Sequence, residues 1–165
     1  MLDAGMLIHT RDGGASWESP LPPASGSVKL RRFHDNGLGL YGENAVLYRS
    51  ADGLSWRTIR TPPTHKWDAF DFFSSDEGWG IGQLRESPWT TDVIHSSDGG
   101  RSWQFVARGL SRSIRGVDTV EGGQAWLLDW EGTITVVESN GNIRETDVAR
   151  GVLGKLRQYM WMKKE

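Results

Sequence analysis

The stretch Thr10-Arg11-Asp12-Gly13-Gly14-Ala15-Ser16-Trp17 recurs in pattern as Ser96-Ser97-Asp98-Gly99-Gly100-Arg101-Ser102-Trp103. A copy one residue shorter, Ser50-Ala51-Asp52-Gly53-Leu54-Ser55-Trp56, lies between them, and a degenerate copy, Glu138-Ser139-Asn140-Gly141, follows. In chain order these are the first to fourth turns. Measured at the acidic position, which Asn140 occupies in the last copy, successive turns are 40, 46 and 42 residues apart. A regular interval of this size indicates a repeat architecture.

Each turn contains residues that suit a tight reversal of the chain. The aspartate accepts backbone N–H bonds within the turn, and glycine allows a positive φ without a Cβ penalty. The tryptophan is expected to begin the next strand, to bury a large surface and to use its N–H as an anchor. We therefore predict a structural role for nine residues: Asp12, Gly14, Trp17, Asp52, Gly53, Trp56, Asp98, Gly100 and Trp103.

The turns resemble the Asp-box, or BNR, repeat, whose pattern is S/T-x-D-x-G-x-S/T-W. The first and third turns match it fully, the second has a deletion and the fourth is degenerate. This resemblance covers nearly the whole chain and implies a β-propeller. Upstream of the third turn stands Gly78-Trp79-Gly80-Ile81-Gly82. The combination resembles the photosystem II assembly-factor branch of the superfamily more than the sialidases, and that branch implies a non-catalytic role in complex assembly.

The sequence around the turns predicts an all-β fold of four-stranded antiparallel blades, about four in number. A period in the forties is the length of one such blade, and helical periodicity is nearly absent. Each unit is predicted to run strand, strand, strand, turn, strand. The chain is expected to be a single domain, 1–165, with blade units at about 1–23, 24–63, 64–109 and 110–150 and a C-terminal closing segment at 151–165.

The two ends of the chain suggest how the propeller closes. By alignment on the turns, Met1 falls within the second strand of its unit, so the first unit lacks an inner strand. Residues 151–162 resemble the stretch 109–117 that leads into the fourth unit, although their apolar spacing also permits a helix. A spare strand here would close the ring and remove open sheet edges. Three architectures stay open: a four-bladed ring, which we favour, a homodimer that completes an eight-bladed ring, and a piece of a longer propeller.

Composition argues against several functional classes. The net charge of −2 and the pI of about 6.1 give no electrostatic support for binding nucleic acid or an anionic membrane. The chain has no cysteine, and hence no disulfide framework and no thiolate chemistry. No apolar run approaches the roughly 20 residues that a membrane span needs. No signal peptide is visible, and the compartment is left unassigned.

The four histidines do not form a metal-binding pattern. His9 and His95 both stand three residues before a turn aspartate, where the second unit has Arg49, so this is a repeated strand position. His34 and His65 add no spacing that zinc sites use. We therefore predict no metal site and no bound cofactor.

An enzymatic role is also not supported by the motifs. Sialidases share Asp boxes and resemble one another in an arginine triad, a Tyr/Glu nucleophile pair and a separate Asp, and no such set or Arg-Ile-Pro entry motif is recognisable here. A glycosidase needs two facing carboxylates. Asp71 and Asp129 are conceivable partners near the blade centres, but no pattern singles them out. We predict no catalytic residue.

The most irregular segment, 83–92, lengthens the gap between the inner glycine and the third turn. It is expected to form a loop on one face, where propellers bind partners. Arg85, Pro88 and Trp89 are the candidate partner-binding residues, since Trp and Arg dominate interface energetics; alternatively, Trp89 packs over the blade edge. The predicted function is a non-catalytic scaffold that binds another protein. The alternative is a carbohydrate-related module, either a lectin or a fragment of a glycoside hydrolase.

Overall fold

The computed structural model describes residues 4–20, 24–25, 28–42, 46–111, 114–120, 123–130 and 133–147. Within these ranges every regular element is a β-strand, and the predicted all-β class is confirmed. The predicted closing segment 151–165, the alternative helix in the same segment and the position of Met1 lie outside the described residues.

The described strands, in chain order, are β1 (Ala4–Gly5), β2 (Ala24–Ser25), β3 (Val28–Arg32), β4 (Leu38–Gly42), β5 (Val46–Ser50), β6 (Trp56–Arg60), β7 (His65–Phe72), β8 (Gly78–Leu84), β9 (Ser87–Ser96), β10 (Gln104–Ser111), β11 (Ile114–Val120), β12 (Gln124–Asp129), β13 (Thr133–Glu138) and β14 (Ile143–Asp147).

Twelve of these strands form three four-stranded antiparallel sheets, each built from strands that are consecutive in the chain. Sheet I contains β3–β6, sheet II contains β7–β10 and sheet III contains β11–β14. In each sheet a turn joins the third strand to the fourth, in the predicted order. Part of the first unit is present as β1 paired with β2, and as mutual backbone hydrogen bonds between His9 and Glu18. This strand order is that of propeller blades.

The three sheets are held together by two apolar clusters. Between sheets I and II, Tyr41, Leu47 and Ile59 pack in one cluster with Phe70 and Phe72. The Tyr41 and Phe70 rings meet edge to face, with centroids 5.4 Å apart. Aromatic side chains bury large areas, so this cluster contributes strongly to the contact between the sheets.

The second cluster lies between sheets II and III and is largely aliphatic. Trp79 and Ile81 of sheet II are fully buried there, together with Val117 and Leu127 of sheet III. Sheet II therefore has both of its faces covered. The unit limits predicted from the sequence remain predictions, because the clusters fix the sheets and not the boundaries between units.

The glycine-rich strand β8 makes room for aromatic rings on the neighbouring strand. Gly80 pairs with Phe70, and a Cβ at Gly80 would lie 2.5 Å from the Phe70 ring. Gly78 pairs with Phe72, where a Cβ would come within 2.3 Å of that ring. Such contacts are shorter than packed carbon atoms allow, so both positions need glycine.

The tryptophans of the turns differ from their predicted role. Trp56 begins β6, but Trp103 precedes β10 and Trp17 lies in no described strand. The side chain of Trp17 is 56% exposed, whereas Trp56 and Trp103 are half-buried. Trp56 Nε1 donates to the Gly53 carbonyl oxygen at 3.0 Å, while Trp103 Nε1 is buried without a hydrogen-bond partner among the described residues. A turn tryptophan is covered only where a neighbouring strand or sheet reaches it.

Candidate functional site

The Asp-Gly turns hold themselves together through their own side chains. In the third turn, Ser96 Oγ accepts the Gly100 N–H at 2.8 Å, and Asp98 Oδ1 accepts the Ser102 N–H at 2.9 Å. Asp98 Oδ2 accepts the Ser102 hydroxyl at 2.6 Å, and these bonds from Ser102 hold the pKa of Asp98 well below its ordinary range. The carboxylate is therefore committed to the turn, and its proton affinity is too low for acid–base chemistry near neutral pH.

The second turn uses the same bonds despite its deletion. Asp52 Oδ1 accepts the backbone N–H groups of Ser55 and Leu54, each at 2.8 Å, and these bonds lower the pKa of Asp52 to about 2. The Ser50 hydroxyl accepts the Gly53 N–H at 2.8 Å. Gly53 has a φ of 78°, in the region that favours glycine. The structural role proposed for these residues rests on this bonding.

The segment 83–92, expected to be a loop, is mostly part of a regular hairpin between β8 and β9. Leu84 pairs with Ser87, so only Arg85 and Glu86 form the turn. The loop prediction was wrong because the second half of the segment contains β-branched residues. These residues favour extended backbone, and they pair with β10.

The tip of this β8–β9 hairpin is fixed to the linker that joins sheets I and II. Arg85 N donates to Thr64 O at 3.0 Å, and Arg85 Nε donates to Pro63 O at 3.2 Å. Trp89 lies on β9 and is 65% exposed, which does not fit the alternative that its ring packs over the blade edge. Pro88 lies in the same strand. The structure thus places all three predicted residues at one end of one hairpin.

A buried chain of hydrogen bonds supports the base of the hairpin. His65 Nε2 bonds to Asp92 Oδ2 at 3.1 Å, and Thr64 Oγ1 bonds to His65 Nδ1 at 2.9 Å. Asp92 Oδ1 also accepts the Gly109 N–H at 2.9 Å, and the imidazole stacks on Trp67. Because these groups belong to the linker and to three different strands, the chain of bonds holds the hairpin in a defined orientation.

The same three kinds of group, hydroxyl, imidazole and carboxylate, occur in triad hydrolases. There the carboxylate bonds to Nδ1 and the nucleophile faces Nε2. In this chain the two are exchanged, since Thr64 bonds to Nδ1 of His65 and Asp92 bonds to Nε2. The imidazole is also almost completely buried. We interpret the group as a structural brace.

A cleft of about 720 Å³ lies between sheets I and II on the side of the turns. Arg49 lines it and donates to the carbonyl oxygens of Ser74 and Ser75 at 3.0 and 2.8 Å. Its guanidinium also pairs with Asp35 and lies 4.0 Å above the Phe72 ring. The volume is within the range of ligand pockets, but the donors of this buried arginine already join the two sheets.

A second arginine at the cleft has a similar role. Arg57 donates to the Gly99 carbonyl oxygen at 2.8 Å. Burial, followed by the positive charges of Arg49 and Arg101, lowers the pKa of Arg57. The sequence signal for this cleft was the arginine that replaces histidine at position 49, which identified a strand position but not the contact with the next sheet.

A buried carboxylate at the inner strands joins the three sheets. Asp71 Oδ1 accepts the His34 N–H of the segment after β3 at 3.2 Å. Asp71 Oδ2 accepts both the N–H and the hydroxyl of Thr119 on β11, at 2.9 and 2.8 Å. One side chain of sheet II therefore binds both neighbouring sheets.

The acidic neighbour of Asp71 is not the one considered from the sequence. Burial and the Asp71 carboxylate raise the pKa of Asp118, and Arg31 Nη2 lies 3.9 Å from Asp118 Oδ1. Asp129 instead accepts the N–H of Thr133 at 2.8 Å, within sheet III. The pairing of Asp71 with Asp129 was wrong because register, which the sequence did not fix, places Asp118 beside Asp71.

Across the described ranges, no group of three or more His, Asp or Glu side chains is placed to hold a metal ion. The same part of the chain contains no helix with the length and apolar character to cross a membrane.

Comparison with solved structures finds similarity to YCF48. A structure described as YCF48 bound to D1 peptide shares 25% identity with this chain at a TM-score of 0.53, covering 68% of this chain and 38% of that one. YCF48 from Cyanidioschyzon merolae shares 18% identity at a TM-score of 0.52, covering 75% of this chain and 41% of that one. The match thus spans about two-fifths of each of those proteins. No family model and no curated protein matches this chain.

Proposed function

We propose that this chain is a non-catalytic β-propeller scaffold that binds a peptide segment of another protein through the β8–β9 hairpin. The observation that carries the proposal is an exposed tryptophan, Trp89, on a hairpin whose tip is fixed by the backbone bonds of Arg85. A preorganised aromatic anchor loses little entropy on binding, which favours affinity.

The finer assignments follow the same line. We assign the four turns to the Asp-box repeat, because the serine or threonine, aspartate and glycine positions make the bonds that this sequence pattern requires. The similarity to a YCF48 structure with a bound D1 peptide supports a peptide as the ligand. Since the chain matches about two-fifths of that protein, the partner of this chain is left unnamed.

Neither the alternative nor an enzymatic function is favoured by a particular observation. A sugar site needs an aromatic platform with convergent polar groups, and the polar groups near the hairpin, Thr64, His65 and Asp92, bond to one another. The homodimer that completes a ring remains a hypothesis, and the cross-linking experiment described below includes it as an outcome.

The proposal can be tested by selecting peptides from a displayed random library on the purified protein, with the D1 peptide as a further probe. Selected peptides should bind the Trp89→Ala variant at least about tenfold more weakly, as expected for loss of an anchor worth 1.4 kcal/mol or more. Trp130→Ala is the matched control, because Trp130 is also exposed but lies on sheet III. Equal loss in both variants, or no selected peptide, would contradict the proposal.

The non-catalytic part has its own test. The purified protein should not turn over aryl glycosides, aryl sialosides or aryl esters above the rate without protein. Turnover that disappears in Thr64→Val or His65→Gln protein, while the fold is retained, would show that the buried chain of hydrogen bonds is an active site.

A further inference from the structure

One face of sheet III is apolar and has no covering strand among the described residues. Trp126 is 43% exposed and Leu128 is 53% exposed, on a central strand where such side chains are usually covered. Trp126 pairs with Val136, and Leu128 pairs with Ile134, so all four side chains lie on the same side of the sheet. We call this set the outer face of sheet III.

The pairing register identifies the equivalent face on sheet II. There Trp79 pairs with Asp71 on the inner strand and with His95 on the third strand. In sheet III, Trp126 pairs in the same way with Asp118 and with Val136. Trp126 therefore corresponds to Trp79, and, two residues later in each strand, Leu128 corresponds to Ile81.

On sheet II this face is covered by the inner strand of the following sheet. β11 contacts both β7 and β8, and Trp79 and Ile81 are completely buried against it and its neighbours. Thr119 of β11 donates its N–H and its hydroxyl to Asp71. The corresponding strand on sheet III would lie across β11 and β12, cover Trp126 and Leu128, and lie beside Asp118.

The sequence supplies a segment at the corresponding place in the chain. β11 begins three residues after β10 ends, and eighteen residues, 148–165, follow β14. This stretch contains apolar residues on which a covering strand depends, among them Val152, Leu153, Leu156 and Tyr159. It also contains the cations Lys155 and Arg157, which are complementary in sign to an ionised Asp118.

We propose that residues 151–162 lie on the outer face of sheet III as the next inner strand and bury Trp126 and Leu128. The occupant is thus the same chain, in the relation that β11 has to sheet II. This inference is independent of the peptide-binding function and of the identity of the partner.

The absence of cysteine from the sequence allows a clean test by disulfide cross-linking in the full-length chain. Leu128→Cys is combined in turn with Leu153→Cys, Leu156→Cys and Tyr159→Cys, and oxidised under mild conditions. Cysteines in adjacent strands have Cα distances that a disulfide can bridge. At least one pair should form an intramolecular disulfide at least about fivefold faster than its matched control, in which Leu84→Cys on the β8–β9 hairpin replaces Leu128→Cys.

Two results would overturn the proposal. A covalent dimer as the main product would show that a second copy covers the face. Cross-linking of all three pairs no faster than in the Leu84→Cys controls would show that this segment lies elsewhere. A second measurement confirms the fold of each variant: in the reduced full-length protein, Leu156→Asp should increase amide exchange in residues 124–130 and leave that of β7 and β8 unchanged, and no change in 124–130 counts against the proposal.

Discussion

The first and third turns have the same sequence pattern and nearly identical internal bonds. The Gly14 N–H bonds to Thr10 Oγ1 at 2.8 Å, as the Gly100 N–H bonds to Ser96 Oγ at 2.8 Å. Asp12 Oδ1 accepts the N–H four residues on at 2.8 Å, and the corresponding distance in the third turn is 2.9 Å. The local conformation is therefore dictated by the octapeptide itself.

Their surroundings are different. The third turn packs on the preceding sheet, since Arg57 donates to Gly99 O and a Cβ at Gly100 would lie 2.8 Å from Ile59. The Trp103 ring lies 5.7 Å from Phe70, centroid to centroid. Beside Gly13 of the first turn, a Cβ would meet nothing within 4 Å. The comparison separates what a repeat determines by itself from what its neighbour adds.

The largest expected effect is at the tryptophans. Trp103→Ala should lower the free energy of unfolding by about 3 kcal/mol, the lower end of the range for aromatic truncation, because the ring is half-buried against Phe70 and Phe72. Trp17→Ala should change it by less than about 0.5 kcal/mol, since Trp17 is largely exposed. Urea denaturation measures both, and equal losses would mean that the first turn is also packed against a neighbour.

The next effect is at the glycines. Gly100→Ala introduces a side chain at a φ of 87° and against Ile59, so we expect a loss of roughly 2–3 kcal/mol from backbone strain and overpacking together. Gly14→Ala has a φ of 100° but a nearest contact of 3.7 Å, to Trp17, and should cost about 1 kcal/mol. If the two variants lose the same stability in thermal unfolding, the contact with sheet I contributes nothing.

A smaller effect sharpens the comparison in the opposite direction. Asp98→Ala and Asp12→Ala remove the same acceptors from turns of the same geometry. Both should lower the melting temperature, and by the same amount, because the lost bonds lie within the turn. A much larger loss for Asp98 would show that its carboxylate also supports the contact between sheets.

The smallest effect is a pH dependence with two signs. The pKa values of Asp12, Asp52 and Asp98 are lowered by bonds within their turns, that of Asp52 to about 2. Their stabilisation is complete above the unfolded value of about 3.9 and is lost as the pH falls toward 2. The pKa of Asp118 is raised by burial and by Asp71, so its ionisation disfavours the fold as the pH rises above the unfolded value.

Asp118→Asn should therefore raise the melting temperature at pH 7 and have little effect at pH 3.5, where the carboxyl group is protonated in both states. Glu145→Gln, an exposed carboxylate on β14 of the same sheet, is the control. Thermal unfolding of both variants across this pH range measures the difference. A stabilisation by Asp118→Asn that is the same at both pH values would contradict the assignment.

Much of the fold could be predicted from the sequence because the turns are local. The serine or threonine, aspartate and glycine positions make their bonds within five residues of one another, so the octapeptide was sufficient. The bonds between sheets could not be predicted in this way. Thr119 lies 48 residues from Asp71, and only the packing of sheet III on sheet II brings them together.

The candidate site shows the same division. Arg85, Pro88 and Trp89 were found by the length of their segment, which departs from the repeat. The brace beneath them was missed, because His65 and Asp92 are 27 residues apart and meet only through the strand register. Trp79 and Trp126 occupy equivalent positions, and the sequence gave no indication that one is buried and the other exposed.

The central claim is that the repeated turns are structural and that the β8–β9 hairpin binds the partner. The most direct test is a titration of one selected peptide, at a temperature where all proteins are folded, against wild-type, Asp98→Ala and Trp89→Ala protein. Asp98→Ala should melt at a lower temperature with an unchanged Kd. Trp89→Ala should keep its melting temperature and bind at least about tenfold more weakly. Loss of binding by folded Asp98→Ala protein, with Trp89→Ala unaffected, would contradict the claim.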